Sequence, residues 1–282
     1  MDIHIILIYG ALLLSVISTW IPYKLFKQIP LWLFFLTISF STAITFKVAS
    51  LFSLVYTLIF GVSVYSYYKQ KNFLLFFIVL ALAIPLMLHN PELGFNNYQY
   101  LSNLSLTSDS VPYNLYFNLD KTLIGIFVIA FSVNYIKFNI SQILRFVLLF
   151  LFFKVLLFFA LAIILGYSKF EPKLPYFTPI WVLVNLFSTC LAEEALFRGV
   201  IQQKISSTLK GKYASMVSIL IASLLFGIAH YKGGFIYVIL ATVAGGFYGY
   251  IYYKTKRIES SILLHFAFNF IHFLFFTYPA LK

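Results

Sequence analysis

Glu193 and Glu194 stand side by side after the apolar run Phe187-Ser188-Thr189-Cys190-Leu191-Ala192, and Arg198 follows four residues beyond Glu194. An ionisable side chain near a bilayer centre costs at least roughly 2.5–3.5 kcal/mol on insertion scales, so such groups normally face a polar cavity or one another. With only eight acidic residues in the whole chain, two adjacent in an apolar segment mark the place to look for chemistry. His230 comes four residues after Phe226, and His265 four residues before Asn269. Positions four apart share a helix face, so His265 points with Asn269 and Glu194 with Arg198. Such a set suits attack of water on a carbonyl. A carboxylate accepts a proton from water, a His shares that water or relays the proton, and an Asn with a His donates to a developing oxyanion. Adjacent carboxylates in a low dielectric resist joint ionisation, so one can stay neutral while the other acts as base, with Arg198 helping to keep one charged.

Each element also has a plainer reading. A lone intramembrane His is more often hydrogen-bonded to a neighbouring carbonyl than catalytic, and Asn269 can simply hold two helices together. Glu194 and Arg198 can form a structural ion pair. Cys190 reads as core filling, and His272, on the face of His265 and Asn269, as a supporting group at best. His4 and His89 are expected to be solvated near interfaces. The weight of the chemical reading comes from two Glu, two His and one Asn falling within about a hundred residues otherwise almost free of buried charge.

The elements that must carry these residues are membrane helices. The 282 residues are 62% hydrophobic and 10% charged, which leaves too little polar surface for a soluble shell. A bilayer core of about 30 Å takes around 20 apolar residues per helix. On that rule the candidate spans are roughly 3–21, 30–46, 48–68, 73–89, 122–136, 143–166, 178–205, 213–230, 234–253 and 261–278. The expected fold is therefore all-α, a polytopic membrane bundle of about eight to ten transmembrane helices. The net charge of +12 has its first explanation in basic cytoplasmic loops rather than nucleic acid. With the N-terminus outside, the inner loops hold Lys24, Lys27, Lys69, Lys71, Lys137, Arg145, Lys204, Lys210, Lys212, Lys254, Lys256 and Arg257. The outer side has Lys47, Lys121, Lys169, Lys173, Lys232, Lys282 and most of the remaining acids, so both termini are expected outside.

The stretch from His89 to Lys121 is too long for an ordinary connector and reads as a flexible extracytoplasmic loop or an interfacial lid. Tyr167–Phe177, with Pro172 and Pro175, reads as the boundary between N-terminal helices (1–166) and a C-terminal core (178–278) that holds the chemistry. Ala241, Gly245 and Gly249 recur every four residues, the small-xxx-small pattern of close helix packing. There is no internal repeat, no nucleotide fingerprint and no cysteine framework, and the N-terminus lacks the features of a cleaved signal peptide. A rise of about 1.5 Å per residue poses a problem of depth: His230, 18 residues past Lys212, would lie roughly 27 Å from the inner surface. Glu193 lies well inside only if its helix runs on to Lys204 or Lys210, which would also bring Arg198 inside.

Glu193-Glu194-Ala195-Leu196-Phe197-Arg198-Gly199, Phe226-Gly227-Ile228-Ala229-His230 and His265-Phe266-Ala267-Phe268-Asn269 resemble, in order and spacing, the three motifs of the CAAX protease and bacteriocin-processing (CPBP) intramembrane proteases. That family includes the Rce1-type prenyl proteases and relatives of the lysostaphin-resistance type. The resemblance covers roughly 178–278 and implies an intramembrane endopeptidase with a water-filled cavity. It implies Glu193 activating water together with His230, His265 and Asn269 stabilising the oxyanion, and Glu194 and Arg198 shaping and charging the site. It further implies membrane lipid and a peptide or protein substrate near the membrane, prenylated or leader-bearing, as partners. Without organelle signals, the expected location is a bacterial cytoplasmic membrane. The glutamate form needs no cofactor and is favoured, because the helical His-Glu-x-x-His device is absent. The alternative is a divalent metal such as zinc on Glu193, Glu194, His230 and His265. Two other functions compete: a proton- or cation-coupled transporter, which Glu193-dependent uptake would reveal, and a non-catalytic immunity or scaffold protein on the same fold.

Overall fold

The computed structural model describes residues 1–132 and 140–282. Lys137, assigned above to an inner loop, lies outside the described residues. Each expected span is met by a helix among the described residues. They are α1 (Ile3–Ser18), α2 (Leu31–Thr45), α3 (Leu51–Gln70), α4 (Phe73–Met87), α5 (Leu119–Ser132), α6 (Ile140–Ile164), α7 (Thr178–Thr208), α8 (Ala214–Ala229), α9 (Phe235–Thr255) and α10 (Ile258–Phe275). Helices α3, α6, α7, α9 and α10 are long and apolar enough to cross a membrane, while α1, α2, α4 and α8 are shorter apolar helices. The chain is an all-α, multi-pass membrane protein. Two small two-stranded sheets interrupt it, β1 (Lys24–Leu25) with β2 (Ile29–Pro30), and β3 (Tyr98–Leu104) with β4 (Tyr113–Phe117).

The segment read as a flexible loop or lid is largely ordered. It holds a short helical turn at Pro91–Leu93 and then β3 and β4. Helix α5 begins at Leu119, so Lys121 belongs to that helix, where it is buried. His89 meets Asp120, its Nδ1 lying 3.0 Å from a carboxylate oxygen, and His4 stacks on Phe46 at 4.7 Å. His89 keeps its exposure, with its side chain 39% accessible, and His4 is partly exposed, so each combines solvent contact with a specific partner.

Two compact units emerge. The first comprises Met1–Tyr100, Tyr116–Phe138 and Phe187–Leu196; the second comprises Leu101–Leu115, Asn139–Leu186 and Phe197–Lys282. In the first unit α5 is central: it packs on α1, α3, α4 and the Leu191–Glu194 turn of α7, and its residues from Leu119 to Ile129 are all buried. Local signals set the helix starts. Ser50 and Ser53 exchange side chain to main chain hydrogen bonds at the head of α3, and Asn72 Oδ1 accepts from the Leu75 N–H at the head of α4. Helix α1 is tied to α2 by hydroxyls that donate to main-chain carbonyls, Ser15 to Trp32 and Ser39 to Ile8, each at 2.8 Å. Such bonds hold helices together where apolar burial gives little net drive.

In the second unit α8 packs along α9, and α6, α9 and α10 pack on one another. Small residues make the α8–α9 approach possible. A Cβ at Gly245 would sit 3.2 Å from the Ser223 Cα, and one at Gly227 would collide with Thr242 and come within 2.7 Å of the Val238 carbonyl oxygen. The glycine of Phe226-Gly227-Ile228-Ala229-His230 therefore lets α9 come close, and the Ala241, Gly245, Gly249 series acts in packing.

Candidate active site

Helix α7 departs from the regular pattern around the two glutamates. Asn185–Cys190 and Ala195–Gln202 are π-helical, and only Leu191–Glu194 between them is α-helical. Hydrogen bonds from i to i+5 shift the faces of a helix and recur at functional sites. The four-residue spacing of Glu194 and Arg198 thus runs from the α-helical turn into a π-helical stretch. The helix also continues past Lys204 to Thr208, with Lys204 buried, which is the extension that the depth arithmetic required.

In the first unit, Glu193 is 5% exposed and Glu194 fully buried. The Lys121 ammonium meets the Glu193 Oε1 at 2.8 Å, and the two side chains are 11% and 7% exposed. Next to this ion pair, the Thr122 and Ser188 hydroxyls are 2.6 Å apart, and Gly125 faces Leu191.

In the second unit, the ring of Phe226 is the meeting point of three predicted residues. His230 lies 4.6 Å from it, His265 5.8 Å, and the Arg198 guanidinium 5.5 Å. His230 closes α8, and its Nδ1 lies 2.7 Å from the Phe226 carbonyl oxygen. A carbonyl can only accept, so the Nδ1–H donates and Nε2 of the neutral ring is the acceptor nitrogen. The carbonyl partner expected for a structural histidine thus also fixes the tautomer that a proton acceptor needs. His265 is 4% exposed and stacks on Tyr248 at 4.3 Å. Asn269 donates from Nδ2 to the Asn185 Oδ1 at 3.3 Å, so it joins α10 to the start of the first π-helical stretch of α7. Arg198 is fully buried and also lies over Tyr248. Gln202 donates to the Gly249 carbonyl oxygen at 2.9 Å. Cys190 is buried, and the His272 Nε2 is 3.1 Å from the Thr277 carbonyl oxygen.

Four residues around the predicted set were not singled out from sequence. Lys121 and Asn185 carried no signal, being far in sequence from the residues they touch. Tyr248 is one aromatic among many. Lys154 did carry one: it is a charge in α6, the most apolar of the described helices long enough to cross a membrane. It is fully buried with its ammonium 3.7 Å from the centre of the Tyr248 ring and 3.6 Å from that of Phe268. The side chains suggested as metal ligands divide between the units, Glu193 and Glu194 in the first, His230 and His265 in the second. Among the described residues no group of three or more His, Cys, Asp or Glu forms a set suited to a metal ion.

Residues 175–271, about a third of the chain, match the family described as Type II CAAX prenyl endopeptidase Rce1-like. Over this segment the chain is similar to the Rce1-like family. Comparison with curated proteins and with solved structures gives no match. The Rce1-like segment begins just before α7 and ends within α10, so it takes in Glu193, Glu194, Arg198, His230, His265 and Asn269. That similarity is, at family level, to CAAX-protease-like endopeptidases. Lys121 and Lys154 fall outside the Rce1-like segment.

Proposed function

We propose that the chain is an intramembrane endopeptidase that hydrolyses a peptide bond of a membrane-associated protein or peptide, with Glu193 as the base. The observation that carries this reading is the burial of Glu193 within the Rce1-like segment, beside a Lys ammonium rather than among solvated groups. In the first step the Glu193 carboxylate takes a proton from water while the water oxygen bonds to the scissile carbonyl carbon and the carbonyl electron pair moves to oxygen. His230, with its acceptor nitrogen, orients that water. The N–H groups of His265 and Asn269 stabilise the oxyanion, which is where preorganised donors contribute most. Collapse restores the carbonyl, breaks the C–N bond and passes the proton from Glu193 to the leaving amine. Glu194 and Arg198 hold the surrounding charge. No step uses a metal. Substrates proposed for this chemistry are prenylated C-termini, secreted peptides and leader-bearing bacteriocins, and the proposed location is a bacterial cytoplasmic membrane.

The test is Glu193→Gln in the purified full chain, assayed on a fluorogenic peptide ending in a prenylated CAAX sequence, with metal analysis of the same preparation. Loss of a positioned general base is expected to lower kcat by about 10²–10⁴-fold with the fold intact. Wild-type turnover in that variant refutes the assignment, and a stoichiometric metal whose removal stops turnover refutes the metal-free step. Comparing the membrane proteomes of a deletion strain and a Glu193→Gln strain would identify the substrate.

A further inference from the structure

Lys121 lies in the first turn of α5, where the helix dipole disfavours a cation, and it is buried, which lysine almost never is unless paired. Its position therefore does nothing for α5 itself. The first turn is instead satisfied by other groups: the Asp120 Oδ1 accepts from the Lys121 N–H at 2.7 Å and from Asn97 Nδ2 at 2.8 Å, and the Asn97 Oδ1 accepts from the Leu119 N–H at 2.8 Å. With the backbone so fixed, α5 is registered against α7 by the Thr122–Ser188 hydroxyl contact and by Gly125, whose missing side chain leaves room for Leu191. The outcome of that register is the Lys121 Nζ to Glu193 Oε1 contact of 2.8 Å, within the range of a charge-assisted hydrogen bond.

We propose that Lys121 is a positioning residue of the hydrolytic site: it fixes the Glu193 carboxylate and supplies its counter-charge from a helix outside the Rce1-like segment. This rests on the reading of Glu193 as base. One carboxylate oxygen is held by the ammonium, which orients the other toward the water it must deprotonate. A helix outside the family segment thereby takes part in the chemistry.

Two measurements on the full chain in detergent test the proposal. In the first, thermal unfolding is compared for Lys121→Met, Glu193→Gln and the double variant. Removing one partner of a buried pair strands the other, whereas removing both does not. The double variant is therefore expected to unfold at a higher temperature than Lys121→Met alone, and losses that simply add overturn the pair. If Lys121→Met does not fold, recovery of folding in the double variant supports the proposal and failure of both overturns it. In the second, kcat and KM are measured on the prenylated peptide. Misplacing a reacting group by about 1 Å costs on the order of 10²-fold in rate, so Lys121→Met is expected to lose about that factor in kcat with KM little changed. Lys121→Arg, which keeps the charge, is expected to regain most of it. A folded Lys121→Met with wild-type kcat overturns the proposal. Activity in Glu193→Gln would instead remove the base reading, so the two failures are distinguishable.

Discussion

Replacing Gly125 by alanine perturbs the contact that registers α5 against α7 without touching an ionisable group. A Cβ at this position would lie 2.5 Å from the Leu191 Cδ2 and 2.6 Å from its Cγ, where ordinary contact begins at 3.4 Å. Leu191 is 1% exposed, so it cannot swing out into solvent. Overpacking of this kind costs about 1–3 kcal/mol, and one or two kcal/mol is a factor of about 5–30 in the ratio of folded to unfolded chain. The expected result of Gly125→Ala is a lowered unfolding temperature in detergent together with a fall in kcat, because the strain displaces the backbone two residues before Glu193. The decisive comparison adds Leu191→Ala. Alone, that substitution leaves a cavity costing about 2–5 kcal/mol. In combination the new methyl fills part of the vacated volume, so the pair should be less destabilised than the sum, with a coupling of about 0.5–3 kcal/mol. Additive losses, or a Gly125→Ala chain as stable and active as wild type, would refute the close approach of these two helices.

Tyr248 stacks on His265 and carries the Lys154 ammonium over its ring. Tyr248→Leu should therefore destabilise the second unit by about 2–3 kcal/mol, from the lost ring contact and a desolvated cation–π interaction, and lower kcat, whereas Tyr248→Phe should change either measure little. The Lys169 ammonium holds the Asp109 carboxyl below its ordinary range, and the Lys282 main chain bonds to the Asp109 carbonyl oxygen. Because the folded value is the lower one, this contribution is present at neutral pH and is lost as pH falls through it. The protection of residues 277–282 against hydrogen exchange, taken relative to the intrinsic rate at each pH, should fall in that acid range, and Asp109→Asn should remove this pH dependence.

Hydrophobic length and helix punctuation located the helices from sequence alone, since spans of apolar residues between Lys-bearing, Pro- or Gly-containing breaks have no other stable form in a bilayer. The three polar motifs were legible for the same reason: Glu193, Glu194, His230, His265 and Asn269 are conspicuous because charge and polarity are scarce around them. Hydrophobic periodicity did not reveal the π-helical turns on either side of the glutamates. Nor could it reveal that the His89–Lys121 stretch forms paired strands and the first turn of a helix. Burial of Lys121 is likewise a tertiary event, created by bringing α5 against a segment 72 residues away. The sequence by itself determined which residues could do chemistry and that they sit on membrane helices. Tertiary structure alone decided the distant partners, Lys121 for Glu193, Tyr248 for His265 and Asn185 for Asn269, while the Phe226 carbonyl that holds His230 lies four residues back on the same helix. Residue type and spacing fix what a group can do, whereas a distant partner that orients it comes from another helix whose register only packing sets.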